Sequence, residues 1–141
     1  MYENLFCFFN LASNAAAPTN VMASPLSGQV GIRVSWTAPT LPTGLPITGY
    51  SIQYKIRGMS DSTYVIVTVG VGATQRVITN LQSSTIYRIR IATETGLGTG
   101  PYCCQTTPLY VTTSELEIQI YTNSIHLIVY VMQTSCVYIK K

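Results

Sequence analysis

The chain has 141 residues, 9% of them charged and 47% hydrophobic, and its 8 Lys and Arg against 5 acids give a net charge of +3. This composition excludes ordinary disorder, and so small a positive balance gives no argument for nucleic acid as a partner. The length suits one domain with appendages, with a core that needs neither disulfide nor metal.

Residues 1–16 read as an irregular leader. The apolar run Leu5 to Phe9 is followed by Leu11, Ala12 and Ala15-Ala16-Ala17, in the manner of a degenerate signal segment, but the run is short and is preceded by Glu3 and no cation. A leader from an imprecisely bounded reading frame is the alternative. Ala17-Pro18 marks the start of folded structure, and Val21 and Ala23 alternate with polar neighbours as a first strand. Pro25 to Gly28 supplies a turn. In Gly31 to Thr37, Ile32, Val34 and the single tryptophan, Trp36, share one parity, with Arg33 and Ser35 between them. That is the period-2 signature of a strand with one buried face. A buried indole contributes about 4–6 kcal/mol gross, on the order of a small domain's net stability.

Thr37 to Pro46 carries Pro39, Pro42, Gly44 and Pro46 and is expected to be a loop. Its P-x-x-P spacing needs no polyproline-ligand explanation, because a connection between two sheets uses the same prolines. Ile47 to Arg57 alternates again, with Tyr50, Ile52 and Tyr54 inward and Ser51, Gln53 and Lys55 on the opposite face. Gly58 to Ser62 is a turn, Thr63 to Val69 a fourth strand, and Thr74 to Thr79 a fifth, closed by Leu81. Thr85 to Thr93 turns Tyr87, Ile89 and Ile91 inward and Arg88 and Arg90 outward. Gly96 to Pro101 reads as a tight loop, and a seventh strand is expected within Cys103 to Thr113, with Pro108 obscuring its start. The expected fold is all-β, a seven-stranded antiparallel β-sandwich. Its core is assigned to Trp36, Tyr50, Ile52, Tyr54, Leu81, Tyr87, Ile89 and Ile91.

Read together, five features resemble the fibronectin type III domain, an immunoglobulin-like fold. They are Ala17-Pro18, Val34-Ser35-Trp36, the run Ile47 to Tyr54, Leu81 six residues before Tyr87, and Gly96-x-Gly98-x-Gly100-Pro101. The resemblance covers residues 17–115. It implies that the third and sixth strands are neighbours and that Tyr87 forms a tyrosine corner, its hydroxyl meeting a backbone group in the Asn80 to Thr85 turn. Three departures put the register of the seventh strand in question. Thr95 stands where the family usually has Asn, Cys103-Cys104 where Ser is common, and the stretch from Gly100 to Leu109 is about three residues long for the family.

No catalytic, cofactor or metal constellation emerges. The glycine loop lacks the phosphate-binding spacing and a following helix. The cysteines at 7, 103, 104 and 136 form no C-x-x-C pair, and the single histidine, His126, is far from them in sequence. Adjacent Cα atoms at about 3.8 Å lie below the usual disulfide span. The chain is therefore expected not to be an enzyme. With the third and sixth strands adjacent, Lys55, Arg57, Arg88 and Arg90 share an outer face with no acid between them. That makes it the candidate binding face, for an anionic glycan among other acidic ligands; a solvated sheet face is the alternative. Arg-Gly-Asp is absent, since Met59 follows Arg57-Gly58, and there is no Asn-x-Ser/Thr acceptor.

The tail, residues 116–141, falls outside the family pattern. Ile118 to Ile139 carries no charge and precedes Lys140-Lys141, the layout of a membrane span with a basic anchor. Its polar residues and its Val, Ile and Tyr content favour an added strand or an irregular extension. The resemblance implies a non-catalytic interaction or spacer module of an extracellular or cell-surface protein, a fragment of a multidomain chain. Its partners would be other proteins or neighbouring domains. The alternative is the ectodomain fragment of a receptor anchored through 118–139.

Overall fold

The computed structural model describes residues 15–115 in full, and the backbone of three further strands at 118–123, 126–131 and 135–139. Where β-branched and aromatic residues alternate with polar ones, the chain is extended. β1 (Thr19–Pro25), β2 (Gly31–Thr37) and β5 (Gln75–Thr79) form one antiparallel sheet in the order β1-β2-β5. β3 (Ile47–Ile56), β4 (Val65–Gly70), β6 (Ile86–Thr95) and β7 (Gly98–Tyr102) form the second in the order β4-β3-β6-β7, and β8 (Leu109–Thr112) also pairs with β6. A 3-10 turn, Asp61–Thr63, joins β3 to β4.

The two sheets close on the expected core. Ile32, Val34, Trp36, Tyr50, Ile52, Tyr87, Ile89 and Ile91 are buried together, while Tyr54 and Leu81 pack half-buried at its margin. The Trp36 and Tyr50 rings lie 5.1 Å apart, tilted at 59°, within the range of favourable aromatic pairs. Trp36 Nε1 is buried with no hydrogen-bond partner among the described residues, so the indole is held by packing alone. β3 and β6 are neighbours, with Ile52 opposite Ile91 and Tyr54 opposite Ile89.

The seventh strand departs from expectation in two ways. Only Gly96 and Leu97 form the turn after β6; β7 already runs from Gly98 through the stretch expected to be loop. The strand is then interrupted. Cys103 N–H still donates to Ile91 O at 2.8 Å, but Cys104 takes φ +62° and turns the chain off the sheet. Pairing resumes where Leu109 meets Ile89. The extra residues are thus looped out in mid-strand, giving eight strands where seven were expected, with both pieces on β6.

The segment at the start of the domain is tied to the end of β6. Ala15 is buried, Thr93 Oγ1 donates to Ala16 O at 2.8 Å, and a side chain at Gly100 would collide with Ala15 at 2.8 Å. Of the leader expected over residues 1–16, residues 1–14 lie outside the described residues, while Ala15 and Ala16 pack on the domain. In the tail, β9 (Ile118–Asn123), β10 (His126–Val131) and β11 (Ser135–Ile139) form a separate antiparallel sheet in the order β11-β10-β9. Their Val, Ile and Tyr content suits strands. Among the described residues no helix is long and apolar enough to cross a membrane.

Candidate functional site: a cation–aromatic face

Antiparallel register places Lys55 opposite Arg88 and Gln53 opposite Arg90 on the outer face of β3 and β6. Arg57 continues the same parity just past β3, where its N–H donates to Ile86 O at 2.9 Å. The structure therefore brings Lys55, Arg57, Arg88 and Arg90 onto one face. It does not leave them equally open to water: Lys55 is buried, Arg88 and Arg90 are half-buried, and Arg57 is exposed.

Tyrosines from three other elements cover this face. The Arg90 guanidinium lies 3.9 Å from the Tyr64 ring centroid and 4.6 Å from that of Tyr102, and its Nε–H donates to Gln53 Oε1 at 2.8 Å. Gln53 Nε2 in turn donates to the Tyr102 hydroxyl at 2.5 Å. Arg57 sits 5.0 Å over Tyr110, which β8 brings opposite Arg88. Ser51, Gln53 and Lys55, expected on a surface facing water, are buried because Tyr102 and Tyr64 close over them. A cation over an aromatic face is attracted by the ring quadrupole, by about 2 kcal/mol where water is excluded.

The expectation that no acid lies among these cations is corrected by Asp61. The 3-10 turn carries Asp61 back over β3, where Lys55 Nζ donates to Asp61 Oδ1 at 2.6 Å and to Met59 O at 2.5 Å. A buried ammonium needs such partners. The Lys55 hydrogen bond, helped by the fields of Lys55, Arg90 and Arg88, holds the Asp61 carboxyl below the usual carboxylate range. Lys55 and Arg90 are thus engaged within the fold, and Arg57 and Arg88 remain the better placed to meet an anion.

Sequence reasoning missed Tyr64, Tyr102, Tyr110 and Asp61 as parts of this face. The only available signal was the number of tyrosines, 10 in the chain, more than an inward parity can absorb. Among the described residues, reactive groups do not converge elsewhere. Burial and a hydrogen bond with Cys104 push the Cys103 thiol up to about 12. Among the described residues no group of three His, Cys, Asp or Glu is placed to hold a metal.

On the inward face of β6, next to Arg88, Tyr87 forms the expected corner, its hydroxyl accepting from Gln82 N–H at 3.0 Å. A two-sheet antiparallel sandwich with a core tryptophan and this corner defines an immunoglobulin-like β-sandwich. A family model, fibronectin type III domain, matches residues 16–108, and the chain belongs to that family. It is 30% identical over 87 residues to human Protein sidekick-1, a match that spans 62% of this chain and 4% of that protein. Among solved structures, the chicken CNTN1 FN1-FN3 domains match with TM-score 0.62 and 25% identity, over 72% of this chain and 33% of that one. The FN5 domain of Drosophila Lar matches with TM-score 0.56 and 27% identity, over 71% of this chain and 97% of that one.

Proposed function

We propose that the chain is a non-catalytic interaction and spacer module of an extracellular or cell-surface multidomain protein. The observation that carries this reading is where the polypeptide enters and leaves the sandwich. Ala15 and Ala16 are fixed at the Thr93–Gly100 end of β6. Thr113 and Ser114 are fixed at its other end, through Thr113 Oγ1 to Gln82 O at 2.6 Å and Ser84 N–H to Ser114 O at 3.2 Å. About eight strand residues separate the two anchor points, roughly 26 Å. A unit with its two connections at opposite poles extends a chain of such units instead of folding it back. Membership of the family and the similarity to Protein sidekick-1 support the setting.

Within this reading, the exposed Arg57 and half-buried Arg88 are the contact points for an acidic partner, with a sulfated glycan as the simplest such ligand. The spacer role is tested by small-angle scattering on two copies of residues 15–115 joined in series. The expected particle is about twice as long as one copy. A compact side-by-side pair overturns the spacer reading.

A further inference from the structure

Natural sheets guard their free edges, and here the guarding is selective. β1 ends in Pro25 and carries a register shift between Thr19 and Met22. β5 carries the exposed Arg76. The β7–β8 edge is broken by Pro101, by the looped-out residues after Cys103 and by a shift between Ala92 and Glu94. β4 has none of these. It pairs with β3 in unbroken register from Val65 to Gly70, and no strand lies on its other side among the described residues. No charge and no proline occurs from Ser62 to Gln75. Val65, Ile66 and Val71 are 48%, 58% and 68% exposed, a concentration of apolar surface along one bare edge.

We infer that β4 is a self-pairing edge, through which two copies of the chain associate antiparallel about a twofold axis at Thr68. A twofold axis perpendicular to a continuous sheet requires each residue to meet one of its own parity, since the two faces must stay continuous. Centring on Thr68 satisfies this over the whole apolar run. Val67 then faces Val69, and Val65 lies beside Val71, twice each. Thr68 faces its own copy, a favourable cross-strand pair. Ile66 faces Gly70, where added side-chain volume meets nothing within 4 Å, so the partner's Ile66 finds room. Electrostatics do not oppose the pairing. Arg88 and Arg90 lie two strands in from β4, so these cations of the two copies are roughly 24 Å apart, well beyond the screening length of about 8 Å at physiological salt, and Lys55, one strand in, is paired with Asp61. This edge is independent of the cationic face, and its failure would leave the module reading untouched.

The test is sedimentation equilibrium of the full chain from about 1 to 100 μM at physiological salt. A monomer–dimer equilibrium is expected. Thr68→Lys places two lysines against each other on the axis and raises the dissociation constant at least about tenfold, with Trp36 emission unchanged as the check on folding. Mixing Thr68→Lys with Thr68→Glu chains restores the dimer, because the opposed residues then carry opposite charge. Ile66→Lys, at another exposed position, serves if Thr68→Lys does not fold. A chain that stays monomeric at about 100 μM overturns the inference. So does association that ignores these lysines, as pairing through the tail strands would. Lysine and glutamate chains that do not combine overturn the register centred on Thr68.

Discussion

The hydroxyl of Tyr87 accepts the backbone N–H of Gln82 at 3.0 Å, so one phenol both fills the core beside Tyr54, 6.1 Å away, and closes the turn between β5 and β6. Removing only the hydroxyl leaves the ring in place and an N–H without its acceptor. Tyr87→Phe is expected to cost about 1–3 kcal/mol, read as a lower denaturant midpoint at unchanged slope. An unchanged midpoint would remove the corner from the account of stability.

Arg90 is held by shape as much as by charge. Its planar group stacks on Tyr64 and Tyr102 and bonds Gln53, which an ammonium cannot reproduce. Arg90→Lys is therefore expected to destabilise by about 1–2 kcal/mol although the charge is conserved. Equal stability of the two proteins in chemical denaturation would show that the stack contributes nothing beyond charge.

Asp61 links the same face to pH. Its carboxyl lies below the usual range when folded, mainly through the Lys55 hydrogen bond, whereas in the unfolded chain it returns to about 3.9. The unfolded state thus binds the proton more readily. The stabilisation is complete above that value and fades as pH falls through the lower folded one. Asp61 is exposed, so the effect is modest and weakened by salt. Asp61→Asn should lower stability at neutral pH and flatten its decline below about pH 4. An acid limb identical in both proteins would contradict the link.

Cys103 is the more buried of the adjacent thiols. Burial and the Cys104 hydrogen bond push it up to about 12, and its sulfur accepts the Ile91 N–H at 3.4 Å. Thiolates, not thiols, are alkylated. Mass mapping after alkylation of the folded chain at about pH 8 should find Cys103 unmodified, with modification appearing only on unfolding. Labelling in the native state would show that the interrupted strand opens readily.

For anion binding, the geometry selects which cations to remove. Arg57→Ser with Arg88→Ser spares the Arg90 stack and the Lys55–Asp61 pair. It should abolish low-salt retention of the chain on a sulfated glycan while leaving the fold intact, and retention by the parent should fall as salt rises. Retention that survives the double substitution would reassign the binding to another surface.

Local alternation carried enough information to name the sandwich and its buried parity. Ile32, Val34 and Trp36, or Tyr87, Ile89 and Ile91, repeat at the period of a strand whatever lies across from them, whereas the corner at Tyr87 was legible only through the family resemblance of the Leu81 to Tyr87 spacing. The outer face was legible only in part, since parity assigns Lys55, Arg57, Arg88 and Arg90 to one side but says nothing of what covers them. Tyr64 and Asp61 reach that side from the β3–β4 connection and Tyr102 from the end of β7, and their arrival depends on that turn and on where the seventh strand breaks. The break itself turns on one backbone rotation at Cys104, which no hydrophobic pattern encodes. Tertiary structure alone decided that two of the four cations, Lys55 and Arg90, are held within the fold while Arg57 and Arg88 stay open to a partner, because burial of a charge is settled by distant partners brought within a few ångströms.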